Sequence, residues 1–338
     1  MNNVEIDGFK IGSGKVFVVA ELGSSHCQDF DKAKELIRLA KESGANAVKI
    51  QTYTPDSMTL DVNTELFTLR NCPWAGQTLY ELYKQTYLPM EWQPQLKHYA
   101  DEIGITFFST PFSIDAVDFL ETLDVPCYKI ASFEICDIPL IERIAQTGKP
   151  VFFSIGASKD YPEICRVGNI IGRKKTVPLH CVSSYPARPE DSCLMTIPAL
   201  SQTWGGYAGL SDHSSGIAIA IAAVALGAKV IEKHIKLPDS KGADSSFSIT
   251  PDQFKMMVEG IREVENAVTG VKFNHENKLR RSLWVAANMR KGDIFTTQNV
   301  RCVRPDGGLH PSHLKTVLGS CANKDIIYGT PMSFDLVM

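Results

Sequence analysis

Tyr207-Ala-Gly-Leu-Ser-Asp-His213, then Ser-Ser-Gly216 and an apolar run, then Lys229-Val-Ile-Glu-Lys-His234-Ile-Lys236: this stretch decides how the chain is read. It spells strand, helix, strand. Each short apolar strand closes on a polar cluster, Ser211, Asp212 and His213 on the first and Glu232 and His234 on the second. In a parallel α/β barrel, strand ends of this kind converge on one pocket at the carboxyl face. Two imidazoles at neighbouring strand ends are placed to share a metal ion.

Working outward, the same unit recurs. Apolar runs at Val16–Ala20, Ala47–Ile50, Ile105–Phe108, Cys127–Ile130, Val151–Phe153 and Val177–Cys181 read as six more strands. Their ends carry Glu21, Gln51, Thr110, Ser132 with Glu134, Ser154, and Ser183 with Tyr185, while Lys49 and Lys129 lie within two of them. Helical periodicity separates them, as in Asp31–Ser43, which stops at Gly44, a C-cap signal. Eight strands and about eight helices over roughly 250 residues is the size of a (β/α)8 barrel, an α/β TIM barrel. Residues 4–20 read as a hairpin around Gly12-Ser13-Gly14 leading into the first strand. The connection 52–90, with a short helix over Thr78–Gln85, is long for a compact fold and so reads as functional. The helix Gly216–Leu226 is Ala and Ile almost all round, which predicts burial on every side and hence a covering subunit.

The text changes after Gly270. Residues 1–270 form the barrel domain, 271–281 read as a polar linker, and 282–338 hold short strand-like runs cut by Lys291-Gly-Asp293 and Pro305-Asp-Gly-Gly308, a small mostly-β domain.

Composition narrows the function. The chain has 338 residues, 44% apolar and 22% charged, with a net charge of −3, so neither nucleic acid nor an anionic membrane is an expected partner. Nine cysteines without CxxC spacing favour reduced thiols and a cytoplasmic setting, and the N-terminus reads as lacking a signal peptide or membrane span. Two lysines among several hydroxyls suit a phosphate or carboxylate. Two carboxylates suit proton transfer, and two histidines with open positions suit a metal that polarises an oxygen. A small anionic substrate with a carbonyl partner satisfies all three. Taken singly, each residue has a plainer reading: His180 lies in a strand pattern as a core histidine, Cys181 as filler, and a lone Lys or Ser at a strand end as a satisfied barrel residue. Recurrence at nearly every strand end argues for a site. A metal-dependent barrel hydrolase would want His-x-His at the first strand end, where Ser24-Ser25-His26 stands, and a non-catalytic sugar-binding module would need neither the lysine pair nor the histidine pair.

Specific motifs then carry a resemblance over essentially the full length. They are Val-Ala-Glu-Leu at 19–22, Lys-Ile-Gln-Thr-Tyr-Thr-Pro-Asp-Ser at 49–57, Leu-Tyr-Glu-Leu-Tyr at 79–83, Ser-Thr-Pro-Phe at 109–112, Lys-Ile-Ala-Ser-Phe-Glu at 129–134, Leu-Ser-Asp-His-Ser at 210–214, Val-Ile-Glu-Lys-His at 230–234, Asp-Ser-Ser-Phe-Ser at 244–248, and Val-Arg-Pro followed by Gly-Leu-His-Pro within 303–311. The chain resembles the bacterial sialic acid synthase family, phosphoenolpyruvate-dependent nonulosonic acid synthases, and within it the pseudaminic branch. The resemblance implies a (β/α)8 barrel joined to a small antifreeze-like (SAF, β-clip) domain. It implies a domain-swapped homodimer and the condensation of phosphoenolpyruvate with an acetamido sugar, 2,4-diacetamido-2,4,6-trideoxy-L-altrose in that branch. The N-acetylneuraminate and legionaminate branches are the alternatives. Carried over by position, His213 and His234 would bind a divalent metal, manganese with magnesium or cobalt as substitutes. Lys49, Thr110, Lys129, Ser132, Ser154, Ser183 and Ser211 would hold phosphoenolpyruvate. Glu21 and Glu134 would be the acid/base pair. Gln51, Tyr185 and Asp244 would face the sugar, with Arg304 from the other subunit. The chain departs from the family pattern at Ser25, where an Asn is usual, and at Asp306, where a Gly is usual.

Overall fold

A computed structural model describes residues 4–70, 74–270 and 278–338. Eight parallel strands close into a barrel: β1 (Phe17–Glu21), β2 (Ala47–Thr52), β3 (Thr106–Pro111), β4 (Tyr128–Ile130), β5 (Val151–Ser154), β6 (Thr176–Cys181), β7 (Gly209–Asp212) and β8 (Val230–His234). They follow chain order, and β8 pairs back onto β1 with Glu232 opposite Val19 and His234 opposite Glu21. Each strand is followed by one helix of the outer ring: α1 (Phe30–Glu42), α2 (Gln93–Glu102), α3 (Ile114–Thr122), α4 (Ile138–Gln146), α5 (Tyr161–Ile171), α6 (Thr196–Trp204), α7 (Ala218–Ala225) and α8 (Pro251–Ala267).

Local chemistry starts these helices where the sequence punctuates them. Asp29, Ser113, Asp137, Asp160 and Thr250 each accept a backbone N–H from the first turn of their helix. Apolar residues three and four apart, such as Leu140, Ile141 and Ile144 on α4, then bury one face against the barrel.

Successive strand residues point to opposite sides, and this alternation builds both cores. Outward-facing Val18, Ile50, Ile130 and Phe153 pack in one core with residues of the helices, Leu36 and Ile144 among them. Inward-facing Phe17, Val19, Ala47, Phe108, Cys127, Phe152, Val177, Leu179 and Val230 plug the barrel floor. Two residues further along, on the same face, come Glu21, Lys49, Thr110, Lys129, Ser154, Cys181 and Glu232. The barrel is therefore apolar at its base and polar at its carboxyl mouth.

Two expectations need correcting. The N-terminal hairpin pairs Glu5–Ile6 with Phe9–Lys10 and turns at Asp7-Gly8, both at positive φ, rather than at residues 12–14. Asp212 faces the helix layer and pairs with Lys233, so it is not a pocket residue. Helix α7 buries Ala220, Ala223 and Val224 and leaves Ala218, Ala222 and Ala225 exposed on this chain, the apolar face for which a cover was expected. Among the described residues, no helix is long and apolar enough to cross a membrane.

The chain divides into two compact units, Met1–Thr269 and Gly270–Met338. Most of the expected linker 271–281 lies outside the described residues. In the second unit, β9 (Ser282–Val285) pairs antiparallel with β10 (Val300–Val303) over a core that includes Leu283, Phe295, Val300, Val317 and Met332. Isolated bridges such as Met289 to Ile326 extend the β character beyond that pair.

Candidate active site

The pocket at the barrel mouth has a volume of about 270 Å³ and is lined by residues from the ends of all eight strands. Its floor is a cluster of four buried charges. Lys49 Nζ lies 2.7 Å from Glu21 Oε2 and donates to Thr110 Oγ1 at 2.9 Å. Lys129 Nζ donates to Ser154 Oγ at 2.6 Å. Glu232 sits between the two ammonium groups, 3.9 Å from each, and accepts from Ser211 Oγ at 2.9 Å. Gln51 Nε2 donates to Glu21 Oε1 at 2.8 Å, and the Ser132 and Ser183 hydroxyls are 2.8 Å apart.

These neighbours divide the titration behaviour. Burial raises Glu21, and the charge of Glu232 adds to it, against the pull of Lys49. Burial would raise Glu232 too, but Lys129 and Lys49 together hold it below the usual carboxylate range. Burial works to lower both lysines. It prevails at Lys129, whereas Glu21 and Glu232 keep Lys49 above its ordinary value. Glu134, on the turn after β4, has one carboxylate oxygen buried without a partner, and burial pushes it up to about 7. Two ammonium groups and two buried carboxylates leave the floor close to neutral, with each ammonium already facing a carboxylate.

The imidazoles stand beside this floor. The His213 and His234 rings are 5.5 Å apart, and Phe247 packs edge-on against both. His213 Nδ1 lies 3.1 Å from the Val182 carbonyl, which suits the tautomer with its proton on Nδ1 and leaves Nε2 as a lone-pair donor. Burial lowers both histidines, His234 strongly, so both are neutral bases. His234 Nδ1 is buried without a hydrogen bond; Asp244 Oδ2 is 3.6 Å away, too long for one. Gly23 makes room for this arrangement: at its φ of +47° a Cβ would fall inside contact distance of Asp244 Oδ2 and 2.9 Å from His234 Nδ1. Among the described residues, no group of three His, Cys, Asp or Glu is arranged for a metal. Two neutral imidazoles therefore fit a metal that completes its coordination with water and substrate oxygens, and they do not fit a closed four-ligand zinc site.

The residues selected from sequence gather here with two exceptions. Ser183 meets the pocket through Ser132. Arg304 belongs to the second unit, where it is exposed on a cleft with Trp284, Arg301 and Tyr328. Asp244 is held by the Ser24 amide at 2.6 Å, and Tyr185 packs 4.6 Å from His213. His180 bonds the Ser192 carbonyl at 2.6 Å on the outer side of β6, in keeping with its reading as a core histidine.

The charged role of Glu232 and the outer wall were missed. Tyr53, Met58, Leu82 and Tyr83 from the connection after β2, with Phe112, make one side of the pocket apolar and aromatic. The polar atom of Tyr53 is already matched to Thr86 Oγ1 at 2.9 Å. The length of that connection was the available signal, but it does not say which side chains turn inward.

Comparison with known proteins agrees with this geometry. A family model described as the NeuB family matches residues 36–272, and an SAF domain model matches 280–338. The pseudaminic acid synthase of Campylobacter jejuni is 41% identical over 325 residues, covering 93% of this chain and 94% of that protein. The pseudaminic acid synthase of Helicobacter pylori is 40% identical, covering 94% and 96%. The crystal structure of an N-acetylneuraminic acid synthetase from Leptospira borgpetersenii, in complex with citrate, superimposes with a TM-score of 0.72 at 31% identity, covering 81% of this chain and 92% of that one. With a family model covering most of the barrel and full-length relatives at this identity, the chain belongs to the NeuB family.

Proposed function

We propose that this chain is a pseudaminic acid synthase. It condenses phosphoenolpyruvate and water with the open-chain aldehyde of 2,4-diacetamido-2,4,6-trideoxy-L-altrose, giving pseudaminic acid and inorganic phosphate. The observation that carries the reading is the convergence of two buried ammonium groups, a ring of hydroxyls and two neutral imidazoles in one pocket. The curated relatives of that name, similar over nearly the whole chain, support it.

Lys49 and Lys129 steady the phosphate and carboxylate of the donor, with Thr110, Ser132, Ser154, Ser183 and Ser211 as directional hydroxyl donors. His213 and His234 would hold a divalent cation, manganese in this reading, and when bound it would supply Lewis-acid polarisation of the aldehyde oxygen. The floor is near neutral and the donor brings about three negative charges into it, which a cation at these imidazoles would offset. C3 of phosphoenolpyruvate forms the new carbon–carbon bond with the aldehyde carbon. Water adds at C2, and phosphate leaves by C–O cleavage. Glu21 and Glu134 move the protons; Glu134, half-protonated near neutrality, is suited to doing so in either direction.

Gln51, Tyr185 and Asp244 face the sugar. The Tyr53–Met58–Leu82–Tyr83–Phe112 wall offers apolar surface to acetamido methyls and a 6-deoxy methyl, where a hydroxymethyl group would give up water without a partner. The exposed Ala218, Ala222 and Ala225 face of α7 fits burial against a second copy, and Arg304 would then act from the partner. Sedimentation at micromolar concentration should give a dimer; a monomer removes that part.

The test is phosphate release. It should require phosphoenolpyruvate, Mn2+ and the 6-deoxy diacetamido sugar together, and should be much slower with N-acetylmannosamine. Glu21→Gln should keep the fold and lose turnover, and unchanged turnover overturns its acid/base role.

A further inference from the structure

Among the described residues, only on β7 and β8 does the outward face of the barrel carry an acid–base ion pair. On β1, β2, β4 and β5 the outward positions near the mouth are apolar and join the helix-layer core, Ala20, Ile50, Ile130 and Phe153, and on β3 and β6 they are Ser109 and His180, each matched to a backbone carbonyl. On β7 and β8 they are Asp212 and Lys233, directly opposite each other in register. Their side chains are 2% and 0% exposed, and Lys233 Nζ lies 2.8 Å from Asp212 Oδ2. A buried ion pair is a poor choice for stability alone, because apolar residues of similar shape serve as well or better.

The remaining hydrogen bonds show what else the pair holds. Lys233 Nζ also donates to the Ser214 carbonyl, and Asp212 Oδ1 accepts the Ser214 N–H at 2.9 Å. Both backbone polar groups of Ser214 are thus tied to the pair. Ser214 follows His213, Asp212 precedes it, and Lys233 precedes His234. One closed network therefore pins the peptide on both sides of His213 to the residue adjoining His234. Neither charged group enters the pocket; the two imidazoles do.

We propose that Asp212 and Lys233 are positioning residues that fix the separation and aim of the His213 and His234 imidazoles. They do so by locking the turn after β7 onto β8 from the outer side of the barrel. The inference rests on reading those imidazoles as metal ligands. Groups that orient metal ligands from behind commonly shift metal affinity ten- to a hundredfold when replaced. A pair serving only the fold would not shift it.

Mn2+ binding to the whole protein, followed by the electron paramagnetic resonance signal of the free ion, separates these cases without turnover. The double variant Asp212→Asn with Lys233→Met removes both charges at nearly constant shape. It is expected to keep or raise the thermal midpoint while Mn2+ binding weakens ten- to a hundredfold. Affinity within twofold of the parent protein overturns the proposal. Should the double variant not fold, Asp212→Asn alone keeps an acceptor for the Ser214 N–H and removes only the charge. At least a fivefold loss of Mn2+ affinity is then expected, and an unchanged value is equally fatal. If the parent protein itself binds neither Mn2+ nor Mg2+ nor Co2+, the metal reading falls and takes this inference with it.

Discussion

Glu134→Gln tests how strongly burial controls this pocket. Glu134 has one carboxylate oxygen buried without a partner, and its pKa is pushed up to about 7 from 4.5. The difference between those two values corresponds to about 3 kcal/mol between the two protonation states. The sign follows from proton counting. Between about pH 4.5 and 7 the folded protein holds a proton that the unfolded chain has released, so stability from this group is greatest at low pH and is lost as pH rises through 7. Glutamine is neutral throughout and removes that loss. Relative to the parent protein, Glu134→Gln should be near equal in thermal midpoint at pH 4.5 and higher by several degrees at pH 8.5, at about 2 °C per kcal/mol for a chain of this size. Scanning calorimetry of both proteins at half-unit pH steps reads the difference directly. A difference that does not change with pH, or one centred on 4.5, refutes the claim that desolvation governs Glu134. The same variant should lose turnover by about a hundredfold or more if Glu134 transfers a proton.

Other predictions follow from the same geometry. Glu232→Gln removes a charge 3.9 Å from each lysine, worth about 4 kcal/mol per pair at an effective dielectric constant near 20 before desolvation. Calorimetric titration without metal should therefore show phosphoenolpyruvate binding at least tenfold tighter; weaker binding would mean the ammonium groups are not already neutralised. His213→Ala or His234→Ala should abolish the dependence of rate on Mn2+ concentration, whereas a preserved saturation curve would remove these histidines from the metal site. A chain ending at Thr269 should keep the barrel's far-ultraviolet circular dichroism and lose catalysis. Full activity in that truncation would show that Arg304 and its unit take no part.

Much of this was legible from residue order. Apolar runs ending in polar residues, separated by helical periods, spell a (β/α)8 barrel, and its geometry requires strand ends to meet. Glu21 and His234 could be chosen on that ground because each ends a strand, and His213 because it follows one, whereas Lys49 and Lys129 stood out as charges inside apolar strands. The motifs then named the family. What residue order left open was the phase of each strand. Ser211, Asp212 and His213 are consecutive, and only the register of β7 against β8 sends the first and third inward and the second against the helices. A one-residue change in phase would exchange the two faces. Nor could the connection after β2 reveal that Tyr53, Met58, Leu82 and Tyr83 form a wall, because loop side chains follow no period. Local order thus determined which chemical groups were available at the mouth of the barrel. Packing decided which of them are buried together, and through burial in which direction each carboxylate and each lysine is shifted from its ordinary titration.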